Sequence, residues 1–157
     1  MKSIEIRKAN LQDLSSIQEL NNKLFELEYN NFDPSLKIGW PYEIAGEEYF
    51  KDLIENQIIY LAITNKEIVG YLAGSIHVEN SYNTTSIAEL DNMFILEEYR
   101  KYGVGTRLFN EFKSYCKEHK IQELKVTASS KNINAIKFYE KNGFENFETT
   151  LKMSLED

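Results

Sequence analysis

The chain has 157 residues, 42% of them apolar, so it is long enough to fold as one domain around a substantial core. A formal net charge of −7 argues against general nucleic-acid binding, and no apolar run approaches the ~18 residues of a membrane-spanning helix. Cys116 is the only cysteine, which excludes an intrachain disulfide and argues against a metal site built on thiolates, and we expect no metal. The N-terminus has no signal-peptide pattern, and we expect one cytoplasmic domain over residues 1–157, with no membrane or nucleic-acid partner.

Charge is divided unevenly along the chain. Residues 1–99 carry 7 Lys and Arg against 17 Asp and Glu, whereas residues 100–157 carry 11 against 8. This division would suit an anionic ligand on the C-terminal part and a cationic ligand on the N-terminal part. A chance distribution of surface lysines is the alternative interpretation.

The first third of the chain is predicted to be mostly helical. A strand at Ser3–Arg7 precedes a helix that Asn10 caps, with Asp13 reaching back in a box-like arrangement. The apolar stripe of this helix consists of Leu11, Leu14, Ile17, Leu20, Leu24 and Leu27. Two prolines and a glycine interrupt the segment that follows, so Tyr29–Tyr42 is predicted to be irregular.

Strands and helices alternate in the rest of the chain. The further predicted helices are Glu47–Glu55, Val104–His119 and Asn132–Lys141, the last ended by Asn142-Gly143. The further predicted strands are Ile58–Thr64, Glu67–His77, Thr85–Leu96, Glu123–Ala128 and Phe144–Leu155, with turns at Asn65-Lys66 and Glu79–Asn83. Strands joined by short turns, followed by strand–helix–strand–helix–strand, predict a mixed sheet with helices on its faces.

A glycine-containing loop lies between a predicted strand and a predicted helix. It reads Arg-x-x-Gly-x-Gly, from Arg100 to Gly105. Glycine lets the backbone approach a ligand closely, and the following helix directs its free N–H groups at that ligand. The loop therefore predicts an anion site. A P-loop and a dinucleotide fold are poorer alternatives, because no Gly-Lys-Ser/Thr closes the motif and the preceding strands are hairpin-like.

Together with the element order, this loop and a second motif resemble a known family. The second motif is Asn-x-x-Ala-x-x-Phe-Tyr-x-x-x-Gly-Phe, from Asn132 to Phe144. Both are similar to the GNAT superfamily of acyl-CoA-dependent N-acetyltransferases, and the resemblance covers Ile4 to Met153. It implies an α/β (α+β) fold with a mixed, mostly antiparallel central sheet of six to seven strands flanked by about four helices. Lys101 departs from the pattern, since many members carry glycine there, and we interpret it as added charge near a pyrophosphate.

The resemblance implies acetyl-CoA as the cofactor. The loop would hold its pyrophosphate, and the end of the preceding strand would pair with its pantetheine arm through backbone groups, which requires an exposed strand edge. Asn132 caps the next helix and, by resemblance, also reaches the arm. The residues assigned to cofactor binding are Phe94, Ile95, Arg100, Lys101, Tyr102, Gly103, Val104, Gly105, Thr106, Asn132 and Tyr139.

The same resemblance implies acetyl transfer to an amine by direct attack on the thioester. Tyr139 lies where the family places a tyrosine near the sulfur, and we assign it as the general acid, with packing as the alternative role. Glu89 and Asp91 lie two apart on a predicted strand and therefore share a face. Glu89 falls eleven residues before Arg100, where the histone-modifying branch carries its catalytic glutamate. Glu89, Asp91 or a chain of water molecules would accept the proton of the amine.

The acceptor is predicted from an aromatic and acidic segment. Residues 25–50 hold seven aromatic and six acidic residues against one lysine, which suits a cationic small amine or a peptide amine. Tyr29, Trp40 and Tyr42 are the predicted acceptor contacts, because ligand contacts concentrate in irregular chain.

Two alternatives stay open at this point. Packing of helices onto the sheet is the other interpretation of the segment's aromatic residues, above all of Phe25, Tyr49 and Phe50. A non-catalytic acyl-CoA-binding or sensing module is the other function class. The family resemblance also makes a homodimer a hypothesis.

Overall fold

The computed structural model describes residues 3–76 and 81–157, which contain five strands and four α-helices. The strands are β1 (Glu5–Lys8), β2 (Ile58–Thr64), β3 (Glu67–Ser75), β4 (Ile87–Ile95) and β5 (Glu123–Val126). The helices are α1 (Leu14–Asn31), α2 (Ile44–Asn56), α3 (Val104–Glu118) and α4 (Ile133–Lys141). The chain divides into two units, residues 1–127 and 128–157.

The first unit contains a single sheet among its described residues, with the strand order β1-β2-β3-β4-β5. β1 to β4 are antiparallel to their neighbours, and β5 runs parallel to β4. The mixed, mostly antiparallel α/β architecture predicted from the sequence is therefore confirmed. The sheet has five strands instead of six to seven.

The core of the first unit lies where α1 and α2 cover one face of the sheet. Its buried members are Ile17, Leu20, Phe50, Leu53, Ile59, Leu61, Tyr71, Ala73 and Phe94. The helix α3 packs on the other face, where a Cβ at Gly74 would lie 2.4 Å from the ring of Phe112. This close approach explains why β3 carries glycine there, since any larger side chain would displace the ring.

The predicted cap at Asn10 opens a short 3₁₀ turn, Leu11–Asp13, and α1 begins after this turn, at Leu14. The side chain of Asn10 accepts a hydrogen bond from the backbone N–H of Gln12, and Asp13 Oδ2 accepts one from the backbone N–H of Asn10 at 2.9 Å. This capping box closes a short 3₁₀ turn that continues into α1. Asp13 also pairs with Arg7 of β1, at 2.8 Å.

Two segments differ from the prediction. Tyr29 was predicted to be irregular, but α1 continues to Asn31, because the breakers lie farther along the chain. The predicted strand at Phe144–Leu155 is absent, and the described residues of that segment form no strand. Alternating apolar residues favour a strand, but only hydrogen bonding to a neighbouring strand creates one.

Other boundaries differ by one to three residues. β4 begins at Ile87, two residues later than predicted, since Ser86 already bonds to the side chain of Gln122. β3 ends at Ser75, and His77, predicted as its end, lies outside the described residues. The predicted turn at Glu79–Asn83 lies partly outside them as well.

Candidate active site

A β-bulge in β4 shapes the candidate site. Ala73 of β3 pairs with Asn92, but the next residue, Gly74, pairs with Leu90. Asp91 is therefore an extra residue with no opposite partner in β3, and a bulge of this kind breaks the alternation of side chains. As a result, Asp91 and Asn92, although consecutive, both reach the hydroxyl of Tyr49 on α2.

The carboxylate of Asp91 accepts two hydrogen bonds on one oxygen. The hydroxyls of Ser75 and Tyr49 donate to Oδ2, at 2.8 Å and 3.1 Å. Burial raises the pKa of Asp91 above its ordinary value, the two donated hydrogen bonds lower it, and the charge of Glu89 raises it further, with a net upward shift. A carboxylate with a raised pKa is suited to accepting a proton.

Asp91 lines a cavity of about 300 Å³ in the first unit. Its lining residues are Tyr49, Glu89, Leu90, Asp91, Lys125 and Thr127. The parallel register places Lys125 of β5 beside Glu89. The structure thus brings both predicted carboxylates to one cavity, with a single lysine among the lining residues.

A chain of polar side chains continues from Tyr49 into the core. Asn92 Nδ2 donates to the Tyr49 hydroxyl at 3.0 Å, and the Tyr71 hydroxyl donates to Asn92 Oδ1 at 2.5 Å. Asn21 Nδ2 of α1 donates to the Tyr71 hydroxyl at 2.8 Å. Tyr71 is fully buried, and burial raises its pKa, as it does for Tyr49. These phenols therefore stay protonated and act as hydrogen-bonding groups.

Tyr49 is one of several site residues that the sequence does not assign, together with Ser75, Asn92, Lys125 and Thr127. Its ring packs at 5.6 Å from Trp40 and 4.9 Å from Phe50. The sequence leaves both an acceptor contact and helix packing open for Tyr49, and its ring does pack. The signal that reveals its second role is the bulge at Asp91, which alternation in the sequence does not show.

The predicted acceptor contacts lie outside this cavity. Trp40 stacks on Phe25 at 5.6 Å and touches the ring of Tyr49, so it supports the cavity wall from behind. Tyr29 and Tyr42 are 39% and 54% exposed and are not among the lining residues.

An open strand edge adjoins the two carboxylates. The pairing of β4 with β5 covers Ile87 to Leu90 only, so residues 91–95 have no strand partner on that side among the described residues of the first unit. At the end of this edge, Arg100 Nε donates to the carbonyl oxygen of Ile95 at 2.8 Å, and its guanidinium lies 5.1 Å from the ring centre of Phe94. Such an edge is the backbone feature that an amide-bearing ligand needs.

The glycine loop leads from this edge into α3. Lys101 and Gly103 both have left-handed backbones, with φ of +69° and +78°, and Gly103 caps α3. The first turn of α3 contains no acidic residue. Its initial N–H groups lack intrahelical acceptors, so this helix end can receive an anion. Tyr102, also assigned to the loop, is 57% exposed.

The second unit contains the other motif. Asn132 caps α4, because its Oδ1 accepts a hydrogen bond from the backbone N–H of Ala135 at 3.2 Å. The ring of Tyr139 packs edge to face against Phe138 and Phe144, at 5.4 Å and 5.5 Å. Gly143 ends the helix with φ of +100°, as predicted.

Two further findings concern the described residues as a whole. They contain no group of three His, Cys, Asp or Glu side chains placed to hold a metal ion. Among the helices described, none combines the length and the apolar character that crossing a membrane requires.

Comparison with known proteins identifies the family of this arrangement. The model of the acetyltransferase (GNAT) family matches residues 16–144. An uncharacterized N-acetyltransferase of Methanocaldococcus jannaschii is 27% identical over 147 residues, which make up 92% of this chain and 62% of that protein. N-alpha-acetyltransferase 50 of Danio rerio is 26% identical over 148 residues, 93% of this chain and 77% of that protein.

Solved structures show the same fold. The aminoglycoside N-acetyltransferase AAC(6')-Iy, crystallised in complex with CoA, superposes with a TM-score of 0.75 at 16% identity, covering 98% of this chain and 95% of that one. The chain spans less than two thirds of the length of the archaeal relative named above.

Proposed function

The chain belongs to the acetyltransferase (GNAT) family, and we propose that this N-acetyltransferase moves the acetyl group of acetyl-CoA to a cationic small-molecule or peptide amine. The observation that carries the proposal is the pair of carboxylates, Glu89 and Asp91, lining one cavity together with Tyr49. Carboxylates and an aromatic face together attract an ammonium group. The relatives named above are, by their names, an N-alpha-acetyltransferase and an aminoglycoside N-acetyltransferase, and this supports an amine as the acceptor.

The residues of the first unit fit acetyl-CoA. The N–H groups at the start of α3 and the cations Arg100 and Lys101 would hold its pyrophosphate. The open edge at Phe94 and Ile95 would pair with its pantetheine amides. When bound, acetyl-CoA supplies an activated acetyl thioester next to the cavity.

The cavity carboxylates would then do the acid–base work on the amine. An ammonium group must lose a proton before its nitrogen can form the new C–N bond, and Asp91, Glu89 or an intervening water accepts it. As the C–S bond breaks, the thiolate needs a proton, which the phenol of Tyr139 would donate. The backbone N–H near Ile95 would polarise the thioester carbonyl.

A panel of amines with detection of released thiol tests this function. We expect acetyl-CoA cleavage to accelerate with polyamines, aminoglycosides, free peptide N-termini or lysine peptides, and calorimetry to detect CoA binding. Acceleration only by neutral or anionic amines would rule out the cationic acceptor. CoA binding without acceleration by any amine would instead identify a non-catalytic acyl-CoA-binding or sensing module.

A further inference from the structure

The two carboxylates of the cavity have different surroundings. Glu89 lies opposite Lys125 in the parallel register of β4 and β5. Asp91 occupies the bulge and receives two neutral hydroxyl donors, Ser75 and Tyr49. Only Asp91 is therefore tied into the polar chain that runs to the core.

The hydrogen-bond directions along this chain are mutually consistent. The Tyr71 hydroxyl accepts from Asn21, so its own proton points at Asn92 Oδ1. This contact fixes the orientation of the Asn92 amide, whose Nδ2 then donates to the Tyr49 hydroxyl. With its acceptor site occupied, the Tyr49 hydroxyl directs its proton at Asp91.

The chain orients groups and does not conduct protons. An amide such as that of Asn92 donates and accepts hydrogen bonds but does not readily pass on a proton, so transfer between Tyr71 and Tyr49 is interrupted. Both donors that reach Asp91 within the described residues use Oδ2. The other oxygen, Oδ1, takes part in neither of these hydrogen bonds, and Asp91 lines the cavity.

We infer that Tyr49 is a positioning residue, which holds Asp91 by Oδ2 so that Oδ1 accepts the proton of the acceptor amine. The inference rests on the proposed function and selects Asp91 over Glu89 as the base. The ammonium group gives one proton to Oδ1 before its nitrogen forms the bond to the acetyl carbon. The C–S bond breaks as that bond forms, and the second proton of the nitrogen balances, through solvent, the proton that the leaving thiolate takes up. The groups that face Asp91 are Tyr49 from α2, Ser75 from β3, Glu89 from β4 and, across the cavity, Lys125 from β5.

The test is Tyr49→Phe, read in two independent ways. Loss of the donated hydrogen bond raises the pKa of Asp91, so the carboxyl ¹³C titration of Asp91 moves up by about one pH unit. The acid limb of the pH profile of kcat/KM moves up by the same amount. At pH values on the acid side of the limb, kcat/KM therefore falls about tenfold, and at high pH it returns to the wild-type value. A variant that merely damages packing loses activity at every pH. The KM for acetyl-CoA stays unchanged.

Tyr60→Phe is the matched control, because it also removes the hydroxyl of a buried tyrosine. Tyr60 lies on β2, and its ring packs against Tyr115 of α3. It should leave both readouts unmoved. If Tyr49→Phe does not fold, Asn92→Leu takes its place, since it removes the donor that orients the Tyr49 hydroxyl and should shift the limb in the same direction.

The outcomes separate the two proposals. An unshifted Asp91 titration and an unshifted limb in a folded Tyr49→Phe protein would overturn the positioning role. A wild-type protein that acetylates no amine would refute the proposed function, while the titration would still report whether Tyr49 holds Asp91. A limb that moves with Glu89→Gln and ignores Tyr49→Phe would assign the base to Glu89 and refute the inference.

Discussion

At the residue scale, the carboxyl group of Asp91 is half-buried and near a second acid, and this partial burial, followed by the charge of Glu89, raises its pKa. At pH values between its ordinary pKa and its raised pKa, such an acid binds more protons in the folded state than in the unfolded state. The free energy of unfolding therefore falls as pH rises through that window. Above that window, the cost of ionising Asp91 in the folded protein lowers the free energy of unfolding.

The change Asp91→Asn should separate stability from activity. The amide keeps an oxygen that can accept the hydrogen bonds of Ser75 and Tyr49, and the change removes the negative charge. We expect the free energy of unfolding at pH 7 to rise by about 1 kcal/mol and turnover to fall about 100-fold, the scale of general-base catalysis. Urea unfolding and thiol release measure the two effects. A variant that is both less stable and fully active would contradict the assignment.

Asp13→Asn is the control of opposite sign. Hydrogen bonding to Arg7 lowers the pKa of Asp13, and this outweighs burial. The stability that it contributes is present above the ordinary pKa of aspartate and is lost as pH falls through the lowered value. Since Arg7 is partly exposed, we expect the loss of the Arg7–Asp13 ion pair to lower the free energy of unfolding by only about 1 kcal/mol. The titration of Asp91 should not change.

The sequence predicted part of this site. Glu89 and Asp91 lie two apart on a strand, and both line one cavity. Asn92 and Tyr49 were not found, because the bulge shifts the side-chain alternation by one residue and depends on pairing with β3, a contact between distant parts of the chain. The roles of these residues, and of Tyr139, stay predictions.

At the element scale, the loop before α3 contains a non-glycine residue in a glycine conformation. Lys101 has φ of +69°, a region that costs an L-residue roughly 1–2 kcal/mol. The sequence motif showed this departure as a lysine where glycine is common. The structure adds that the backbone keeps the left-handed turn while the side chain supplies charge.

Lys101→Gly should therefore stabilise the protein and weaken CoA binding. Relief of the left-handed strain exceeds the added freedom of glycine in the unfolded chain, for a net gain of about 0.5–1 kcal/mol. Loss of the cation should raise the Kd for CoA several-fold, measured by calorimetry. Lys120→Gly is the matched control, since Lys120 has φ of +58° just after α3, at the opposite end from the loop. It should give the same gain with an unchanged Kd.

Elements with local signals were predictable, and elements with distant partners were not. The capping box lies at the short turn that leads into α1, and a left-handed glycine follows the end of α4. Both features depend on contacts within five residues. The predicted strand at Phe144–Leu155 does not form. A strand requires hydrogen bonds to a neighbouring strand, and the sequence of the segment itself does not specify that neighbour. The open edge of β4 depends in the same way on where β5 stops pairing.

At the scale of the whole molecule, the acidic charge is concentrated in residues 1–99, which carry a formal charge of −10 against +3 for residues 100–157. The two cavity carboxylates belong to this acidic part, whereas the loop proposed to hold the pyrophosphate begins at Arg100. A field of this kind attracts a multiply charged cation before contact, and salt weakens the attraction because the Debye length shortens.

This field predicts how salt affects different acceptors. The KM of a polyamine acceptor should rise several-fold between about 0.05 and about 0.5 M salt, because salt screens the long-range attraction. The kcat should change little. A monoamine of similar length, with acetyl-CoA saturating, is the control and should show a much smaller rise. Equal salt dependence for both amines would mean that the cavity carboxylates alone, and not the charge of the surrounding chain, select the acceptor.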